Sequence, residues 1–128
     1  MSKEDLEYFK NLLLRKREEV LEEMRALEDI SRNKEAQGAS EDRSTYSLHM
    51  ADHGTDAMER EKNLLLAQRG GDYLDEIDAA LQRIEDGTYG ICRVTGKEIP
   101  KARLEAVPTT TLSVEGKMIE KQREQSEQ

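Results

Sequence analysis

Leu6, Leu13, Val20 and Leu27 recur every seven residues, and Phe9 and Met24 fall at intermediate positions. A stripe with this period can be buried in one way only. The segment must be a helix that lays one side against another helix. Ser2-Lys3-Glu4-Asp5 precedes the stripe as a hydroxyl acceptor followed by acidic residues, a pattern that starts helices. One helix is therefore expected over residues 4–31, roughly 40 Å long at the usual rise per residue. Lys16 and Arg17 interrupt the stripe, so packing there is expected to be imperfect.

A second helix is expected over 55–86. Thr55 is the candidate N-cap, with Asp56 and Glu59 in the first turn where the helix dipole favours acids. Met58, Leu65, Leu74, Ile77, Leu81 and Ile84 give its apolar side. Gly70-Gly71 predicts a kink or a close helix contact, and Asp86-Gly87 a stop. Residues 32–54 carry no periodic stripe and read as a long polar connection. The simplest burial of both stripes is a mainly α fold, an antiparallel coiled-coil hairpin spanning 1–87. A small base over 88–116 and a short C-terminal helix and tail over 117–128 complete it.

Composition supports that economy. Charged residues make up 38% and aromatics 4% of the 128 residues, without Trp, so a broad globular core is out of reach. The net charge of -8 disfavours binding to phosphate backbones or anionic membrane surfaces, which require Lys and Arg. It suits a basic protein channel instead. One Cys excludes an intramolecular disulfide. With no apolar leader and no apolar run of spanning length, the expected compartment is the cytoplasm. No nucleophile–base–acid arrangement or phosphate loop is visible, so enzymatic activity is not expected.

The run Tyr89 to Pro108 reads as a zinc-ribbon knuckle stripped of its ligands. Four thiolates would be needed at positions 92, 95, 113 and 116, and these hold Cys92, Thr95, Ser113 and Gly116. Hydroxyls that stay protonated are poor zinc ligands, so a structural metal is not expected. Cys92 then reads as a small buried apolar group, with a redox-active thiol as the alternative. Ile91, Val94, Ile99, Leu104, Val107, Leu112 and Val114 are the candidates to replace the metal with a small apolar core.

A second cluster is His49-Met50-Ala51-Asp52-His53-Gly54-Thr55-Asp56. His49 and His53, like Asp52 and Asp56, are spaced to share a helix face. Three readings stay open: a solvated loop, a partner-contacting acidic tip, or a metal site.

Ile84-Glu85-Asp86-Gly87-Thr88-Tyr89-Gly90-Ile91-Cys92, followed by Gly96, Ile99, Arg103-Leu104-Glu105-Ala106 and Pro108, resembles the DksA/TraR family of bacterial transcription regulators. The resemblance covers residues 50 to 117 well and 1 to 49 more loosely. It implies a zinc finger at the base of a coiled-coil hairpin, of which this chain keeps the first of four cysteines. It implies direct binding to RNA polymerase through the secondary channel, rather than to DNA. It also implies an acidic Asp-x-x-Asp-x-Ala motif at the tip, and cooperation with the stringent-response alarmone ppGpp. The matching segment runs from Asp52 to Ala57 with one extra residue between the two acids, which makes Asp52, Asp56 and Ala57 the expected tip residues. A monomer is expected. A transcript-cleavage factor on a similar hairpin, and a coiled-coil interaction protein without a polymerase role, are the alternatives.

Overall fold

The structure is a computed structural model that describes residues 1–40 and 53–127; for 31–40 and 53–56 it describes the course of the chain and not the side chains. The described residues form four helices in order: α1, Lys3–Ser40; α2, His53–Asp86; α3, Lys101–Ala106; and α4, Val114–Ser126. Among the described residues the β-structure is an isolated antiparallel bridge between Ile91 and Glu98. The fold is mainly α and built on an antiparallel coiled-coil hairpin. No described helix is long and apolar enough to cross a membrane.

The chain divides into two compact units, Met1–Arg17 with Asp75–Gln128, and Glu18–Leu74. Among the described residues the fully buried side chains belong to the first. Phe9 and Leu13 of α1, Ile77 and Ala80 of α2, and Tyr89, Cys92, Ile99 and Leu104 of the following segment make its core. Ser2 accepts from the Asp5 N–H at 3.1 Å and so caps α1, as the sequence pattern predicts. Asp5 also meets Lys101 at 2.7 Å, and the Tyr8 hydroxyl donates to Glu105, so the first turns of α1 hold α3 by two polar contacts. Arg17, at the interruption of the stripe, pairs with Asp78 of α2 at 2.9 Å. At the other end of α2, Gly87 adopts φ +79°, and Thr88 N–H returns to the Arg83 carbonyl at 2.9 Å, closing the helix as expected.

In the second unit α1 and α2 pair again. Here three expectations need correction. First, α1 does not end at 31 but runs to Ser40. Residues 32–40 have no apolar stripe, yet a helix needs only its own backbone hydrogen bonds, and Lys34, Glu35, Ala36 and Gln37 are good formers. Second, α2 begins at His53, which puts Thr55 inside the helix instead of at its cap. Third, Met58 and Leu65 do not face α1: they are 71% and 53% exposed. The spacing from Leu65 to Leu74 breaks the heptad, and counting back by sevens from Leu74 leads to Ala67 instead. Small side chains line the α2 side here. A Cβ on Gly70 would lie 3.0 Å from Met24 Cγ and 3.6 Å from Val20 Cγ1, which is the close helix contact foreseen for the Gly70-Gly71 pair.

Candidate functional site

Two places were expected to carry function, the acidic tip and the former metal knuckle. Of the tip residues, Asp52 lies outside the described residues, as do the segment 41–51 and His49. Asp56 falls in α2, without a described side chain, and Ala57 follows it as an exposed residue of the same helix. Among the described residues no three His, Cys, Asp or Glu side chains converge on a metal-sized point.

The knuckle is fully described, and its four frame positions do meet. The chain turns back on itself after Cys92, with Gly96 N–H donating to the Cys92 carbonyl at 2.9 Å and Cys92 N–H to the Lys97 carbonyl at 2.8 Å. This turn points the Cys92 side chain inward, where it is 1% exposed. Thr95 N–H approaches its sulfur at 3.5 Å, and the Ser113 hydroxyl donates to it at 3.4 Å. The same hydroxyl accepts from Gly116 N–H at 3.0 Å and is the N-cap of α4. Burial pushes the thiol up, but the hydrogen bonds from Ser113 and Thr95 outweigh it and bring it down to about 6.

These residues do not fit zinc. A structural site needs four ligands from thiolate, imidazole or carboxylate. Cys92 offers one. The Thr95 hydroxyl accepts from Lys97 N–H at 3.3 Å, the Ser113 hydroxyl is engaged at the helix cap, and Gly116 has no side chain.

The sequence placed a dense aliphatic core where the metal would be. The structure corrects this. Ile99 and Leu104 are buried, Val94 and Leu112 half-buried, and Ile91, Val107 and Val114 exposed. What joins the two halves of the knuckle is chiefly polar. Arg93 N–H donates to the Thr111 carbonyl at 3.0 Å, and its guanidinium reaches Thr111 Oγ1 at 3.2 Å and Glu120 at 2.5 Å. Arg103 donates to the Leu112 carbonyl at 2.7 Å, Arg83 to that of Thr109 at 3.1 Å, and the Tyr89 hydroxyl to that of Pro108 at 2.7 Å. Sequence reasoning missed these clamps. Their signal was three Arg and a Tyr around a segment poor in regular structure, whose carbonyls need donors.

A third feature was also missed. On α2 the exposed Met58 and Leu65 stand with Leu66 around a hollow of about 320 Å³, bordered by Glu61, Lys62 and Arg69.

Residues 87–115 match the prokaryotic dksA/traR C4-type zinc finger family. The chain is 39% identical over 125 residues to the RNA polymerase-binding transcription factor DksA of Caulobacter vibrioides, covering 97% of this chain and 81% of that protein. The chain belongs to the DksA/TraR family. A DksA2 structure from Pseudomonas aeruginosa superposes with a TM-score of 0.82 at 33% identity, covering 98% of this chain and 89% of that one. The uncharacterized protein YteA of Bacillus subtilis is 38% identical over 116 residues, and this chain spans 48% of its length. Within the DksA/TraR family, then, this chain carries a four-cysteine finger of which one cysteine remains.

Proposed function

We propose that the protein is a transcription regulator that binds RNA polymerase through the secondary channel and modulates initiation with the acidic tip of its coiled coil. The observation that carries this reading is the similarity, over 97% of the chain, to a relative described as an RNA polymerase-binding transcription factor. The tip residues are Asp52, Asp56 and Ala57. The carboxylates of Asp52 and Asp56 act beside the catalytic Mg²⁺ of the polymerase or the mobile elements around it, and shift the enzyme between states by binding them unequally. The net charge of -8 supports binding to a basic channel and disfavours direct contact with DNA. The protein works as a cytoplasmic monomer, together with ppGpp, and is not an enzyme.

The exposed α2 face supports the same reading. Contiguous exposed apolar patches on a protein surface commonly mark interaction sites. Met58, Leu65 and Leu66 sit there among Glu61, Lys62 and Arg69, an apolar patch with a charged rim of both signs that suits a protein contact.

The test is promoter-specific transcription with Asp52→Asn together with Asp56→Asn. The variant should still bind the polymerase and lose regulation. Regulation intact in a variant that binds normally contradicts the tip mechanism.

A further inference from the structure

The four ligand positions of the knuckle still converge, but around a sulfur and not around an ion. We infer that Cys92 is the plug of the former metal centre, and that its sulfur is what forbids a side chain at Gly116. A Cβ built on Gly116 would lie 2.4 Å from Cys92 Sγ, well inside contact distance. The same Cβ would lie 3.3 Å from Ser113 Oγ and 3.6 Å from Val94 Cβ, so the space is closed on other sides as well. The sulfur is held there by the Ser113 hydroxyl at 3.4 Å and the Thr95 N–H at 3.5 Å. Swinging it outward breaks both contacts and opens a void in a core where Cys92 is 1% exposed.

Each former ligand position therefore has a new task. Cys92 fills the centre, Thr95 supplies a donor to it, Ser113 ties it to the start of α4, and Gly116 leaves room for it. The arrangement excludes the metal actively. Zinc–sulfur bonds of about 2.3 Å set the sulfurs of one tetrahedral site about 3.8 Å apart. A Cys at 116 has to bring its Cβ to the point that the Cys92 sulfur already crowds. Restoring that ligand alone thus costs packing before any ion can repay it.

The sign of one substitution is diagnostic. Gly116 lies in the first turn of α4, where helix propensity alone makes Ala the better residue. Thermal unfolding of Gly116→Ala, Cys92→Ala and the double variant closes a cycle. Gly116→Ala should lower the melting midpoint by more than about 4 °C in the wild-type background. In the Cys92→Ala background, where the sulfur is gone, the same change should leave the midpoint unchanged or raise it. Equal losses in both backgrounds, or no loss in the wild type, overturn the plug. If Gly116→Ala does not fold, a folded double variant supports the inference, whereas a double variant that fails while Cys92→Ala folds overturns it. Equilibrium dialysis of the wild type against zinc adds a second reading. No stoichiometric zinc should be retained, and one equivalent bound with a raised melting midpoint also overturns the plug.

Discussion

Met24 Cγ lies 3.0 Å from the point where a side chain on Gly70 would begin, whereas the same point on Gly71 has nothing within 4 Å. The two neighbouring glycines therefore answer substitution differently. Gly71→Ala should stabilise the protein by about 0.5–1 kcal/mol, because Ala loses less backbone freedom in a helix. Gly70→Ala should gain less or lose stability, since Met24 has to move. Chemical denaturation of the two variants checks the order, and a larger gain at position 70 contradicts the helix contact.

Tyr89 is buried at the knuckle and donates to the Pro108 carbonyl at 2.7 Å. Tyr89→Phe should cost about 1–2 kcal/mol by leaving that carbonyl without its donor. Burial pushes the phenol up to about 12 from its ordinary 10.0, so the folded state favours the neutral form. The associated stability is fully present below pH 10.0 and is lost as the pH rises through about 12. Alkaline denaturation should therefore be steeper for the wild type than for Tyr89→Phe in that window.

Asp5 behaves in the opposite sense. The hydrogen bond from Lys101, helped by Ser2, holds its carboxyl below the ordinary 3.8. Its contribution is present above that value and is lost as the pH falls through the lower folded one. Asp5→Asn should be less stable than the wild type at neutral pH, and the difference should vanish under acid. Unfolding midpoints of both proteins across the acid range test this, and a difference that persists under acid counts against the contact.

At the exposed α2 face, binding and folding respond separately to substitution. Leu65 is 53% exposed, so Leu65→Ser should leave the melting midpoint nearly unchanged. If the face meets the polymerase, the same change should weaken binding about tenfold, or about 1.4 kcal/mol. Unaltered affinity by titration with the polymerase would remove this face from the interface.

The parts of the fold legible in sequence were those with a strong periodic or chemical signal. The stripe through Phe9 and Leu13, the Ser2 cap and the Gly87 stop all hold in the structure. Residues 32–40 were missed because a polar helix leaves no stripe. The inner face of α2 was misjudged because Met58 and Leu65 are apolar without being buried, whereas the close contact at Gly70 was legible in the Gly70-Gly71 pair. At the knuckle the burial of Cys92 was legible, but Ser113 looked like a lost ligand when it is in fact the cap of α4. Its double role depends on a residue one helical turn on and another 21 residues earlier, which no local pattern encodes.

Capture of core RNA polymerase by the purified protein, competed by a known secondary-channel ligand, tests the central claim most directly. Saturable binding that the competitor removes, at equal strength for the wild type and for Asp52→Asn with Asp56→Asn, is the predicted result. Absence of binding, or binding that the channel ligand leaves untouched, would contradict it.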